Sequence, residues 1–258
     1  MQKNHHTLSV VLATYNEEKN INDCLTSVMD LADEIVIVDG GSTDKTVEIT
    51  ESFGAVVIKT HNPQIFHVNK QKAIDRASKD WILQLDADER VSGELAQEIV
   101  GILKENERSI NGFWIPRKNY FLGRFLMKGG QYPDYSLRLY RRGKGKLPQR
   151  DVHEQAVVEG RVGHLQNPLI HMADPTFGRY ILRFNRYIDL FATQIAEEEN
   201  AKGVVGALRY LLISPLWWFT MTYVRHKGFM DSWQGFVFSF FSALRFPVAY
   251  IKYLRDRK

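Results

Sequence analysis

The chain has 258 residues, 44% of them apolar and 25% charged. That balance leaves room for one large core or a core domain with an appendage, and it excludes a disordered or fibrous protein. The formal charge of +4 favours an anionic ligand or surface without choosing among lipid headgroups, nucleic acid and nucleotide diphosphates, and the single cysteine, Cys24, excludes an intramolecular disulfide and a Cys-rich metal site.

The N-terminal MQKNHHTLSVVLATYN leads directly into a strand-like segment with no apolar stretch and small-residue cleavage site after it, so no signal peptide is expected. Residues 8–13 form a short Val-rich run that fits a buried parallel strand. Residues 18–29 place Ile21, Leu25 and Val28 at helical spacing. A second strand is predicted over 34–38, followed by the turn Gly40-Gly41-Ser42-Thr43-Asp44. Ser42 or Thr43 is the predicted cap for a helix over 45–52. A strand over 55–58, a helix over 69–78, a strand over 81–85 and a helix over 95–103 continue the alternation. This order predicts an α/β fold with a mixed, mostly parallel Rossmann-like sheet covered by helices.

Past residue 110 the rhythm changes. Strands are predicted over 112–120 and 135–140, separated by a loop with Gly129, Gly130 and Pro133. Residues 138–150 carry Arg138, Arg141, Arg142, Lys144, Lys146 and Arg150 without an acid, reading either as an exposed basic turn or as a site edge facing phosphate. Residues 177–198 form an amphipathic helix with Phe177, Tyr180, Phe184, Tyr187 and Phe191 three or four apart. Two bulky apolar tracts follow, YLLISPLWWFTMTYV at 210–224 and GFVFSFFSALRFPVAYI at 235–251. The first is short of the roughly 20 residues a spanning helix needs. With Trp217, Trp218, Trp233 and the terminal Arg255, Arg257 and Lys258, the region is expected to associate with an anionic membrane in a peripheral or re-entrant way. Pro215 and Pro247 predict broken or bent helices. The expected domains are a catalytic domain over 1–175, its halves meeting near residue 110, and a helical region over 176–258.

Asp86-Ala87-Asp88-Glu89 follows an apolar strand, at the carboxyl end where open parallel sheets bind ligands. If extended geometry persists, Asp86 and Asp88 project to one side. A divalent ion would relieve their repulsion and neutralise a bound diphosphate. In VDGGSTD at 38–44, the glycines permit close backbone approach and Asp39 is placed to accept from a ribose or base. This turn matches neither GxGxxG nor the GxxxxGK[ST] phosphate loop, which removes support from dehydrogenase and ATPase readings. Thr14, in ATYNEE at 13–18, sits at a third strand end and also reads as a helix cap. Asp151 and Glu154 are alternative bases for activating a hydroxyl, and His153 and His171 are candidate metal or phosphate contacts. The basic stretch leaves the LDADE strand end unexplained as a nucleic-acid site, so no nucleic-acid partner is expected.

Together ATYNEE at 13–18, VDGGSTDKT at 38–46, NKQKAIDRA at 69–77 and LDADE at 85–89 resemble the inverting family 2 glycosyltransferases with a GT-A nucleotide-diphospho-sugar transferase fold. GGQYPDYSLRLYRRG at 129–143 and DVHE at 151–154 are similar to bacterial lipopolysaccharide core glucosyltransferases. The resemblance implies that Thr14, Glu17 and Asp39 contact uridine and that Lys70 or Lys72 holds the base or diphosphate. It assigns Asp86, Ala87 and Asp88 to the donor diphosphate and its Mn²⁺ or Mg²⁺, Asp88 being the direct ligand, with His171 near the metal or phosphate. Asp151 or Glu154 is the implied general base, although DVHE departs from the family's common Glu-Asp pair. A UDP-sugar donor, UDP-glucose in first place, and a glycan or lipid-linked acceptor at the cytoplasmic face of a bacterial membrane complete the expectation. Transfer from UDP-N-acetylhexosamine or UDP-galactose uses the same residues, and a non-catalytic nucleotide-sugar or membrane-binding protein is the alternative of a different class.

Overall fold

The computed structural model describes residues 6–63, 65–105, 109–148, 155–198 and 201–256. The chain forms two compact units, Met1–Arg117 with Asp134–His171, and Lys118–Pro133 with Met172–Lys258. Residues 118–133 therefore group with the C-terminal helices and not with the sheet-bearing segments on either side of them.

The first unit begins with β1 (Leu8–Thr14), α1 (Ile21–Thr26), β2 (Glu34–Asp39), α2 (Thr46–Ser52), β3 (Val56–Lys59), α3 (His67–Arg76) and β4 (Trp81–Gln84). In β1, Leu8, Val10, Val11 and Leu12 are all fully buried, as a central parallel strand covered on both faces requires. Alternate residues serve opposite layers. Val10 and Leu12 join Leu25, Leu95 and Ile99 in one core cluster, and Val11 joins Val36, Ile82 and Ala73 in the other. Next come β5 (Glu89–Val91) and α4 (Gly93–Lys104), the latter capped by Ser92, whose side chain accepts from the Leu95 N–H at 3.2 Å.

The remaining strands are β6 (Ile110–Phe121), β7 (Arg124–Phe125), β8 (Asp134–Arg141), β9 (Gly145–Lys146), β10 (Val157–Val158), β11 (Arg161–His164) and β12 (Leu169–Asp174). The main sheet has the order β3-β2-β1-β4-β8-β6-β12-β5. It is parallel through β3, β2, β1 and β4, but β8 pairs antiparallel with β4 and with β6, and β12 pairs antiparallel with β5. The sheet is mixed, as expected, with its parallel part confined mainly to β3, β2, β1 and β4. Consecutive parallel strands need a crossover of a dozen or more residues, usually helical. Among the described residues no helix lies between α4 and β12, and the strands in that stretch pair mainly in antiparallel fashion.

Two local expectations are corrected. Helical spacing over 18–29 yields a helix only over Ile21–Thr26, with turns on both sides. Neither Ser42 nor Thr43 caps α2. The Ser42 hydroxyl is donated to Asp39 at 2.5 Å, and Asp44 takes the Thr46 N–H at 3.0 Å instead.

The second unit contains α5 (Phe177–Glu197), capped by Thr176, then α6 (Gly203–Leu208), a π turn over Arg209–Ile213, α7 (Ser214–Phe219), a second π turn over Thr220–Arg225, a 3₁₀ turn over Gly228–Asp231 and α8 (Ser232–Asp256). Ile188, Ala192 and Ile195 of α5 pack with Ala249, Tyr250 and Tyr253 of α8. Gly235 lets α8 start against the Gly228 carbonyl; a Cβ there would lie 1.9 Å from that oxygen. Pro215 lies inside the helical run, next to the π turn that precedes α7, and Pro247 lies inside α8 without ending it.

The apolar tract expected to be too short to span is part of a longer helical run, Gly203–Arg225. Its 23 residues are long and apolar enough to cross a membrane, and 11% of its most apolar window is buried. Val204, Leu208, Leu212, Leu216 and Trp217 on this run are exposed. A surface helix surrounded by water carries polar residues on its outward face. This one carries apolar residues there.

Candidate active site

The site is assembled in the first unit at the carboxyl ends of β1, β2 and β4. Parallel pairing sets Thr14 beside Asp39, and the Thr14 hydroxyl is donated to Asp39 Oδ1 at 3.1 Å. Asp39 Oδ2 accepts the N–H groups of Gly41 at 2.9 Å and Ser42 at 2.8 Å. Gly41 has φ +88°, a conformation that only glycine adopts cheaply. Asn16 Oδ1 accepts the Thr43 N–H at 2.8 Å, and the Asn16 N–H is donated to the Ser42 hydroxyl at 2.8 Å. Asp39 is 1% exposed, so its carboxylate shapes the loop that follows β2. Glu17 receives an Asn20 amide proton at 2.8 Å, and its own N–H is donated to Thr46 at 2.8 Å. Lys72 donates to Thr60 at 3.3 Å and Asn69 at 3.2 Å, next to the end of β3.

At the end of β4 the chain turns tightly. The Glu89 N–H returns to the Asp86 carbonyl at 2.9 Å, and the Asp86 N–H is donated to Glu89 Oε2 at 2.9 Å. Extended geometry therefore does not continue through Asp86-Ala87-Asp88, and alternation does not set the directions of the two acids. Asp86 Oδ1 pairs with the ammonium of Lys70, which is 5% exposed and lies 4.7 Å from the Phe66 ring centroid. Asp86 Oδ2 pairs with Arg138 Nη2 at 2.6 Å, and the same nitrogen reaches Glu89 Oε1 at 2.8 Å. Arg117 adds a contact of 3.5 Å to Glu89 and a forked pair to Asp134 at 2.7 and 3.1 Å. Burial on its own would raise the Asp86 carboxyl, but Arg138 and Lys70 outweigh it and hold the group well below the usual carboxylate range. Burial lowers Lys70, opposed by Asp86. Cys24, whose thiol lies 3.6 Å from the Asp86 carbonyl, is pushed up by burial and stays a neutral packing residue.

Asp88 faces His171 on β12, with Oδ2 and Nε2 3.7 Å apart. The antiparallel pairing of β12 with β5 sets this contact, since it puts His171 opposite Glu89. The three residues expected to share a metal are consequently not gathered around one point. Both oxygens of Asp86 face cationic side chains, whereas Asp88 and His171 face each other. Among the described residues no group of three or more His, Cys, Asp or Glu side chains is placed to hold an ion. A carboxylate suits Mn²⁺ or Mg²⁺, whereas an imidazole beside it disfavours Mg²⁺, which takes oxygen ligands, and leaves Mn²⁺ the better match of the two. Asp88 and His171 are the pair that could hold such an ion, while Asp86 is already paired with Lys70 and Arg138. Asp151, His153 and Glu154 lie outside the described residues.

Arg138, Glu89, Arg117 and Asp134 hold this site together, and sequence reasoning gave none of them an individual role. The available signal was a charge in the middle of an apolar strand. Arg138 sits between Leu137 and Leu139 in SLRLY, a place where a charged residue is tolerated only when paired.

Residues 9–157 match the profile described as Glycosyl transferase family 2. The chain is 30% identical over 251 residues to a lipopolysaccharide core biosynthesis glycosyltransferase, LpsC, of Rhizobium meliloti (strain 1021), covering 92% of this chain and 91% of that protein. An uncharacterized glycosyltransferase of Rickettsia bellii (strain RML369-C) is 27% identical over 244 residues, covering 89% of this chain and 80% of the relative. Among solved structures, the mannosyltransferase PcManGT from Pyrobaculum calidifontis in complex with GDP-Man and Mn²⁺ superposes with a TM-score of 0.58 at 14% identity. That match covers 98% of this chain and 88% of the other. The shared architecture is a GT-A-like α/β fold with a mixed sheet and flanking helices. With the profile spanning more than half its length and a 30%-identical relative matched almost end to end, the chain belongs to glycosyl transferase family 2 and is a glycosyltransferase.

Proposed function

We propose that the enzyme transfers a hexose, glucose from UDP-glucose in first place, to a glycan or lipid-linked acceptor in envelope or lipopolysaccharide-type biosynthesis, with inversion at the anomeric carbon. The observation that carries this reading is the placement of two ligand-shaped features along one edge of the sheet. One is the Thr14–Asp39 loop with its donated N–H groups, and the other is the Asp86–Asp88 turn backed by Lys70 and Arg138. The relatedness to a lipopolysaccharide core enzyme supports the acceptor class, and the fold neighbour with bound GDP-Man and Mn²⁺ supports a nucleotide-sugar donor and a divalent ion.

In this reading the loop at Gly40–Thr43 receives the nucleoside, with Thr14, Glu17 and Asp39 setting its shape and Lys72 at its side. Lys70 and Arg138 keep Asp86 ionised and in place. Asp88 and His171 hold the divalent ion, which when bound supplies positive charge for the departing diphosphate. The acceptor hydroxyl attacks the anomeric carbon as Asp151 or Glu154 takes its proton. The bond to the nucleoside diphosphate breaks in the same displacement. The exposed apolar face of Gly203–Arg225 supports peripheral or re-entrant association with the cytoplasmic face of a bacterial membrane, where a lipid-linked acceptor is presented.

Purified full-length protein in detergent, given UDP-glucose, UDP-galactose or UDP-N-acetylhexosamine with Mn²⁺ or Mg²⁺, tests this directly. Nucleoside diphosphate release that is selective for one donor and raised by bacterial lipid extract is expected. No release and no binding of any of these donors would sink the assignment.

A further inference from the structure

We propose that Tyr135, Trp114 and His164 form a platform on which a pyranose ring of the acceptor stacks, so that the accepting group is a saccharide hydroxyl. The proposal rests on the acceptor class inferred above and narrows it.

Strand register brings the three rings together. Tyr135 of β8 lies opposite Pro116 of β6, Leu137 lies opposite Trp114, and His164 of β11 pairs with Trp114 from the other edge of β6. Paired residues, and residues two apart on one strand, share a face. Here that face is the one on which Leu137 and Trp114 pack with Ala73 and Ile74 of α3. The His164 ring centroid is 6.4 Å from that of Trp114 with the planes 19° apart, and 5.1 Å from that of Tyr135 with the planes 88° apart. Trp81 and Tyr140 of the same sheet are buried, but Tyr135 is 38% exposed, His164 is exposed and Trp114 is partly so. The ring surface is therefore open to a ligand.

Its place in the sheet points to the acceptor. Arg141 pairs with Trp81 and Leu139 with Leu83, so descending numbers on β8 lead past the carboxyl end of β4. Arg138 reaches Asp86 there, and Tyr135 lies about 10 Å farther along the strand, at about 3.3 Å per residue. The nucleoside loop lies on the other side of β4, at β1 and β2. A ring stacked on Tyr135 is thus separated from that loop by the Asp86 turn, as an acceptor must be. Gln155 is exposed and directly follows 151–154, the segment with the two candidate bases. Its Oε1 accepts the Leu137 N–H at 3.4 Å, which leaves its amide N–H groups for a ligand. A pyranose ring has C–H bonds on one face and hydroxyls around its rim. The first suit ring carbons, and the second suit Tyr135 Oη, the ring nitrogens of Trp114 and His164, and Gln155. An acyl chain would leave those polar tips unused. A phosphate would need a cation, and the Arg117 guanidinium at this end of β6 is committed to Asp134 and Glu89.

Saturation-transfer NMR on the full chain reads the stacking directly. The probes are the methyl glycosides of glucose, galactose, mannose and N-acetylglucosamine, and lipopolysaccharide core oligosaccharide freed from its lipid by mild acid. Each is run with and without UDP and Mn²⁺, so that a platform completed by bound nucleotide is also seen. At least one probe should receive saturation on the C–H protons of one pyranose face. Y135A and H164A should each weaken its binding about five-fold, the ratio for one aromatic contact of ordinary strength. Y135F, which keeps the ring, should bind as the parent does, and UDP affinity should be unchanged in all three. Should one alanine variant prove misfolded by circular dichroism, the other decides on its own. No transfer to any probe overturns the platform, as does full binding by the folded alanine variants. Equal loss in Y135F and Y135A overturns stacking in favour of a contact to the hydroxyl. Oligosaccharide binding that follows the expected pattern in a protein that binds none of the UDP-sugars upholds the platform and sinks the donor assignment.

Discussion

Replacing Arg138 by methionine isolates the part played by the buried ion network beneath the Asp86 turn. Methionine preserves much of the apolar stem and deletes the guanidinium that reaches Asp86 at 2.6 Å and Glu89 at 2.8 Å. Glu89 is fully buried and, among the described residues, would keep the Asp86 N–H at 2.9 Å and Arg117 at 3.5 Å. Removing one partner of a buried pair costs about 3–5 kcal/mol, because the other is left charged and uncompensated. Arg117 places R138M near the lower end, about 3 kcal/mol. At about 2–4 °C per kcal/mol for a unit of this size, the melting transition should fall by about 6–12 °C. Urea unfolding of R138M, E89Q and the double variant measures the coupling. The double variant should be less destabilised than the sum of the singles by about 1–3 kcal/mol, since E89Q removes the charge that R138M orphans. An R138M protein within about 0.5 kcal/mol of the parent, or strict additivity in the cycle, would refute this account.

D88N should lose most metal-stimulated diphosphate release while its melting temperature stays close to that of the parent; equal activity in the two proteins would remove Asp88 from the proposed metal site. Asp80 is held below its ordinary pKa by the Thr7 N–H, with the Thr7 hydroxyl adding to it, both at 2.9 Å. The resulting stabilisation is fully present above the unfolded-state value and is lost as pH falls through the lower folded value. The stability gap between the parent and D80N in urea should therefore be widest at neutral pH and close below about pH 4; a gap independent of pH would contradict it. G235A drives a Cβ to 1.9 Å from the Gly228 carbonyl oxygen, which neither backbone can easily avoid. A loss of about 1–3 kcal/mol in the second unit is expected, visible as faster proteolysis of the C-terminal helices, and unchanged proteolysis would count against this packing.

The alternation of strands and helices up to α4 was legible because each element is short, strongly patterned and bounded by polar turns. Central parallel strands such as β1 announce themselves as unbroken apolar runs. Residues 177–198 were equally clear, since their aromatic spacing is that of α5. Less was legible where a few hydrogen bonds outweigh pattern. The Asp86–Glu89 turn is closed by two reciprocal bonds that alternation cannot foresee. Arg138 was grouped with the basic residues after it, although its place inside SLRLY already separated it from them. The pairing of Asp88 with His171 depends on the register of β12 against β5, a contact between residues 83 positions apart in sequence. Cys24 and Glu89 show the same limit, for their roles arise from what the fold packs against them.

The π turns in Gly203–Arg225 bear on how that run keeps one side against α8. Its buried or partly buried positions include Gly206, Tyr210, Ser214, Trp218 and Thr222, every fourth residue. In a pure α-helix each four-residue step overshoots a full revolution by about 40°, so such a row would wind around the helix. The wider π turns at Arg209–Ile213 and Thr220–Arg225 rotate less per residue and take up that drift. The run is thereby a helix of near-tetrad phase, with a straight seam on one side and a straight apolar row on the other. Deleting a single residue from Arg209–Ile213 would rotate everything downstream by about 100° relative to what precedes it. Trp218 would leave the Arg245 guanidinium, now 4.3 Å from its ring centroid, and the row that holds Leu216 would swing off its present outward line. Length is therefore more tightly constrained along this segment than the identity of its exposed apolar residues.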